Sequence, residues 1–236
     1  VSIAANLARI REEIAQACRR AGRAESEVAL MAVSKMHPAD AILEAHAARL
    51  RLFGESRVQE WQEKSLALGQ LDGAEIHLIG PLQSNKTARA AELFDAVDSV
   101  DSLKIATRLN AAAQALSKKL PILIEVKLSH EESKHGIAPT DLPALLAALA
   151  PLESLTPAGL MTVPPWPADV ANAGEEARPY FRDLRRLRDA SLAACPTLTQ
   201  LSMGMSNDFA AAIEEGSTCV RIGTALFGRR VSGGVL

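Results

Sequence analysis

Aromatic side chains are scarce in this chain: two Trp, one Tyr and five Phe among 236 residues, 3% in all. Platforms that stack the bases of single-stranded nucleic acid are built from such rings, so their scarcity argues against that class of partner. Neither sign of charge dominates. Lys plus Arg (26) nearly balances Asp plus Glu (28), a formal net charge of −2, which leaves no domain-wide basic field for nucleic acid or an anionic membrane. No run of about 18 apolar residues occurs, so no membrane-spanning helix is expected. Arg9, Arg11, Glu12 and Glu13 interrupt the opening stretch, which therefore does not read as a secretion signal. Cysteine is limited to Cys18, Cys195 and Cys219, odd in number, widely spaced and without a CxxC pair. Free buried thiols in a reducing, cytoplasmic setting are the expectation.

What the chain does contain is aliphatic. Apolar residues make up 48% and charged residues 23%, ordinary globular usage, so the core must come from Ala, Val, Ile and Leu. Ile3, Leu7, Ile10 and Ile14 recur at helical spacing and predict an additional N-terminal amphipathic helix. From there, short apolar runs alternate with helix-period segments to the end. Strands are expected at 28–34, 50–54, 75–80, 96–100, 122–128, 158–163, 200–205 and 219–223. Helices are expected between them at 38–49, 58–69, 84–93, 102–118, 139–150, 178–194 and 208–215. Eight β/α units favour an α/β fold closed as a (β/α)8 barrel, a TIM barrel, over an open doubly wound sheet. No linker or repeat divides the chain, and residues 1–236 read as one domain. Residues 164–169, Pro-Pro-Trp-Pro-Ala-Asp, are too proline-rich for regular structure and are expected to form a loop over the barrel mouth.

In such barrels, functional groups gather where the strands end at their C-termini. Lys35 follows the apolar run Val28–Val33 and sits at that rim. Desolvation lowers a lysine pKa, as an amine needs if it is to attack an aldehyde, although a solvated lysine opening a loop fits the spacing too. Two later strand ends finish in Ser206 and in Gly223-Thr224, each leading into a helical turn. Barrels often bind phosphate there, after strands 7 and 8, so Ser206, Gly223 and Thr224 are candidate phosphate ligands beside the plain alternative of closing turns. His77 lies inside a strand and reads as a satisfied core residue. His37, His46, His130 and His135 are scattered, so no metal site is expected. GxxxxGK[ST], GxGxxG and GxSxG are all absent. Arg178, Arg182, Arg185, Arg186 and Arg188 mix with Asp183 and Asp189 and read as a solvated helix face.

The segments AVSKMHP, FGESRVQEWQEK, HLIGPLQSNKTARA, SVDSLKIATRLN, ESKHGI, GLMTVPP and LSMGMSNDFAAAIEEGSTCVRIGTALFG run in order from about Val28 to Gly228. Together they resemble the YggS/PROSC family of pyridoxal 5′-phosphate (PLP) homeostasis proteins. The resemblance implies a fold-type III barrel like the N-terminal domain of alanine racemase, with PLP held by Lys35 as a Schiff base. It implies Ser206, Gly223 and Thr224 around the phosphate and Arg221 facing the pyridine nitrogen. Where the family usually reads Gly-Glu-Asn-Tyr, this chain has Gly54-Glu55-Ser56-Arg57, which puts in question any contact of Ser56 with the cofactor ring. A guanidinium can only donate to an unprotonated ring nitrogen, which weakens carbanion stabilisation. The chain ends at Leu236 and has one tyrosine, Tyr180, so no C-terminal catalytic domain is expected. The implied function is PLP storage, protection or delivery, with apo PLP-dependent enzymes as recipients, no robust turnover and a monomeric or weakly dimeric state. A small PLP-dependent racemase and a PLP-free phosphate-ester binder are the rivals.

Overall fold

The computed structural model describes residues 2–129, 131 and 135–228. Its eight strands are β1 (Ala29–Val33), β2 (Leu52–Glu55), β3 (Glu75–Leu78), β4 (Ala96–Val100), β5 (Leu120–Glu125), β6 (Leu155–Met161), β7 (Gln200–Ser202) and β8 (Cys219–Ile222). They pair in chain order, all parallel, and β8 returns to β1 to close the expected barrel. Parallel strands need crossovers, supplied by α2 (Ala39–Ala47), α3 (Val58–Leu68), α4 (Thr87–Leu93), α5 (Leu103–Ala115), α6 (Leu142–Leu149), α7 (Ala173–Ser191) and α8 (Phe209–Glu214). Alternate strand residues divide the labour. Ile122, Ile124, Leu160, Leu201, Val220 and Ile222 join the apolar layer beneath the helices. Arg221, paired in register with Met31, turns to the barrel interior with it.

The N-terminal helix α1 (Ile3–Ala21) follows its periodicity. Ser2 Oγ accepts the Ala5 N–H at 3.3 Å as an N-cap, and Gly22 at φ 64° ends the helix in the left-handed region. Ile3, Leu7, Ile10, Ile14 and Cys18 are buried, packing α1 on α8 and on a last short helix, α9 (Thr224–Phe227). The Asn6 amide donates to the Leu226 carbonyl at 2.9 Å, so α1 braces α9.

Several boundaries differ from expectation. β5 and β6 begin earlier because they admit Pro121 and Pro157, residues that lack the N–H a ladder needs. The register shifts between Ile122 and Leu123, absorbing the missing donors. β5 stops at Glu125, and Val126 makes only an isolated bridge to Ile137. β7 stops at Ser202, since Gly204 adopts φ 95°. α7 starts at Ala173, so Pro179 falls inside it as its seventh residue, where the helix goes without the hydrogen bond an N–H there would give the Glu175 carbonyl.

Candidate functional site

Barrel closure brings the first and the eighth strand together. Ala32 of β1 pairs with Ile222 of β8, so Lys35 and Gly223-Thr224 leave adjacent strands at the same end. A Cβ on Gly223 would stand 3.4 Å from the Val33 carbonyl oxygen. Lys35 occupies a tight turn in which His37 N–H donates to the Ser34 carbonyl at 3.0 Å. Met36, the third residue of that turn, has φ 62°. Positive φ at this position is the pattern of a type II turn, where glycine is the usual occupant.

The β7 and β8 ends are joined by a hydrogen bond: Ser206 Oγ accepts the Ala225 N–H at 3.2 Å in the first turn of α9. First-turn N–H groups have no carbonyl of their own helix to meet, so a hydroxyl or an anion serves them. Asp208 Oδ1 accepts the Met205 N–H at 2.5 Å and fixes the approach to Ser206. Burial pushes the Asp208 carboxyl above its ordinary pKa, against the Met205 hydrogen bond and the Arg221 charge. Gly204 is required here, because a Cβ would lie 2.6 Å from Ala212 Cβ at φ 95°. Phe227 of α9 stacks on His37 with ring centroids 4.8 Å apart, tying the Lys35 turn to the same helix. Lys35, Ser206, Gly223 and Thr224 are thus brought together.

Arg221 lies one layer deeper and is 4% exposed. Its Nη1 donates to Ser202 Oγ and its Nη2 to the Thr162 carbonyl, both at 2.8 Å. Burial draws its pKa below the ordinary value, opposed by Cys219, Asp98, Asp208 and Glu125. A guanidinium has five N–H donors, so those two bonds leave donors to spare. Ser56 follows β2 and is pressed by Gly80, where a Cβ would lie 2.3 Å from the Ser56 carbonyl oxygen.

Sequence reasoning passed over a polar cluster beneath the Lys35 turn. Lys64 Nζ donates to the Ser34 carbonyl at 2.9 Å, to Glu55 Oε1 at 2.9 Å and to Glu60 Oε1 at 2.6 Å, which uses its three protons. Glu60 Oε1 also accepts the Met36 N–H at 2.5 Å. Ser34 Oγ donates to Glu55 Oε1 at 2.7 Å, while Glu55 Oε2 is buried without a hydrogen-bond partner. Burial pushes the Glu55 carboxyl up despite Lys64. Burial works the same way on Glu60, but the Lys64 and Met36 hydrogen bonds outweigh it and hold its pKa down. The i, i+4 spacing of Glu60 and Lys64 was the available signal.

Other candidates fall elsewhere. His77 Nδ1 lies 3.0 Å from Asp98 Oδ1, a satisfied histidine as expected. With Glu75, Lys118 and Lys119 this pair lines a cavity of about 380 Å³ at the opposite mouth of the barrel from Lys35. Arg182, Arg185 and Arg186 are exposed on α7 as expected of a solvated face, but Arg178 and Arg188 are only partly exposed, and Arg188 also donates to the Thr199 carbonyl. Arg178 reaches Glu214 at 2.8 Å and Arg182 reaches Glu215 at 2.9 Å, pinning α7 to the C-terminal end of α8. Ser129 Oγ is buried without a partner; His130, and Glu132, Ser133 and Lys134 of the ESKHGI segment, lie outside the described residues. Among the described residues, no three His, Cys, Asp or Glu converge as metal ligands, and no helix is long and apolar enough to cross a membrane.

Residues 5–231 match the family described as alanine racemase, N-terminal domain. The pyridoxal phosphate homeostasis protein of Pseudomonas aeruginosa is 47% identical over 229 residues, covering 97% of this chain and 96% of that protein. The protein of the same name from Escherichia coli K12 is 45% identical over 230 residues, 97% of each. Among solved structures, PipY of Synechococcus elongatus with PLP bound is 39% identical at a TM-score of 0.84, covering 96% of this chain and 100% of that one.

Proposed function

We propose that this chain, which belongs to the alanine racemase N-terminal domain family and within it to the pyridoxal phosphate homeostasis proteins, binds PLP on Lys35. Its task is to hold the cofactor for storage, protection or delivery, without robust turnover of its own. The adjacency created by barrel closure carries this reading: an amine at the end of β1 beside first-turn N–H groups at the end of β8 and a hydroxyl from the end of β7.

The donor set fits the cofactor. Ser206 and the backbone of Gly223 and Thr224 offer neutral donors to a phosphate, and glycine leaves the backbone open to close approach. Arg221 retains donors that could meet the ring nitrogen, and its guanidinium stays charged. When bound, PLP supplies an aldehyde that an amine attacks reversibly, so a second amine can displace the first. Lys35 is the amine we assign to that exchange. Ser56, at the end of the neighbouring strand β2, is near enough to the mouth to be assigned to the site wall.

Two features favour a holder over a racemase. Arg221 cannot move a proton, and Tyr180, the one tyrosine, belongs to α7 in the outer ring of helices. Three unpaired cysteines suit a reducing cytoplasm.

The test is to mix PLP-loaded protein with an apo PLP enzyme and follow the activity regained, with free PLP and Lys35→Ala as controls. Restored activity from the parent but not from Lys35→Ala is expected. A parent that takes up no PLP refutes the reading. Rapid α-proton exchange on an amino-acid panel, lost in Lys35→Ala, would replace the holder with an enzyme.

A further inference from the structure

Lys35 is bracketed by two residues that α3 grips from below. The Ser34 carbonyl, on its N-terminal side, accepts from Lys64 Nζ at 2.9 Å. The Met36 N–H, on its C-terminal side, donates to Glu60 Oε1 at 2.5 Å. Glu60 and Lys64 are bonded to each other at 2.6 Å, so both grips belong to one rigid unit on successive turns of a helix. Lys64 is also anchored to Glu55, whose side chain is fully buried, and that carboxylate reaches back to the Ser34 hydroxyl. The unit is therefore tied to the ends of both β1 and β2.

The backbone gives this unit something to resist. A non-glycine residue in the left-handed region costs about 1–2 kcal/mol, and Met36 at φ 62° has a side chain that is 61% exposed, with little packing to offset that cost. Without this unit, the His37 hydrogen bond to the Ser34 carbonyl and the His37–Phe227 stack would be left to hold the turn against that cost. A carboxylate on the Met36 amide is a charge-assisted bond, stronger than a neutral one, and it holds the peptide in the strained orientation. The lysine on the preceding carbonyl fixes the other end. Nothing else about α3 calls for a three-bonded, largely buried ammonium at this spot, since burying charge is costly unless it is fully paired.

We propose that Glu60 and Lys64 are positioning residues for Lys35: they clamp the peptide groups on either side of it and keep its amine aimed at the mouth of the barrel. The proposal rests on Lys35 being the point of PLP attachment. Neither residue is assigned contact with the cofactor.

The experiment compares the parent with Glu60→Ala, Lys64→Met and Lys64→Arg. Circular dichroism and the melting temperature are measured on unloaded protein. Growth of the visible absorption band on adding PLP is then followed at a temperature where each variant is fully folded. Glu60→Ala and Lys64→Met should form the band about tenfold more slowly, or with about tenfold weaker affinity, the worth of one charge-assisted hydrogen bond. Lys64→Arg, which can still donate to the Ser34 carbonyl and to carboxylates, should recover most of that loss. Variants that are merely less stable, yet take up PLP as the parent does once folded, overturn the clamp. So does a Lys64→Arg protein no better than Lys64→Met. A parent that forms no band at all refutes the PLP reading itself, a different failure from either.

Discussion

Gly80 tests how closely the β2 and β3 ends must approach. It does not need a positive φ; its requirement is purely steric. An alanine Cβ there would lie 2.3 Å from the Ser56 carbonyl oxygen and 2.8 Å from both Ser56 Cα and Cβ. An ordinary carbon-to-oxygen contact is about 3.3 Å, so the two strand ends must part by about 1 Å. Two of those atoms are backbone, and no rotamer change can relieve them. Separation is opposed by the Ile79 N–H bonded to the Glu55 carbonyl at 2.8 Å and by Ser99 Oγ on the Gly80 carbonyl at 2.6 Å. Overpacking of this kind costs about 1–3 kcal/mol, and losing one of the two hydrogen bonds adds about 1 kcal/mol. For a chain of this length each kcal/mol lowers the melting temperature by roughly 2–4 °C, so Gly80→Ala should melt about 4–16 °C below the parent. PLP affinity should fall with it, because Ser56 moves at the mouth. Thermal unfolding of unloaded protein followed by circular dichroism reads the first effect. A Gly80→Ala protein melting within about 1 °C of the parent would refute the steric reasoning.

Three other expectations follow from the same geometry. Arg221→Gln should alter the absorption spectrum of the loaded protein while changing PLP affinity by less than about tenfold, because the proposed site assigns the anchoring to Ser206, Gly223 and Thr224; a folded variant that loses PLP altogether would contradict that division. Burial of His77 works against its protonation, but Asp98 and then Glu75 outweigh it and raise its pKa. The pair therefore contributes stability that is present below the ordinary histidine value of about 6.5 and is lost as pH rises through the raised folded value. Denaturant titrations across that interval should show this slope in the parent and a flatter one in His77→Gln; identical slopes would contradict the pairing. Burial pushes the Cys219 thiol up to about 12, and Cys18 is fully buried, whereas Cys195 is partly exposed. A native-state alkylation time course should label Cys195 first, and equal rates at all three would contradict the packing.

The barrel was legible because its periodicities are local: apolar runs of strand length, helical spacing between them, and the spacing of Ile3, Leu7, Ile10 and Ile14 ahead of the first strand. The neighbourhood of Lys35, Ser206, Gly223 and Thr224 was legible once a closed barrel was assumed, since closure sets the end of β1 beside the end of β8. Prolines hid the starts of β5 and β6, because a missing N–H normally argues against a strand and the compensating register shift is a property of the pair. The grip of Glu60 and Lys64 was hidden for a related reason. Their spacing announces an ordinary surface ion pair, and only the placement of α3 under the Met36 turn turns it inward. Arg178 misled in the same direction: its partners Glu214 and Glu215 lie more than thirty residues away, at the end of another helix.

The attachment point is the most direct test of all. Loaded protein should be reduced with borohydride, digested and mapped by mass spectrometry. The account predicts a single pyridoxyl modification on the peptide carrying Lys35, absent from Lys35→Ala. A stoichiometric modification on any other lysine, Lys64 included, or none on a protein that retains PLP, would contradict it.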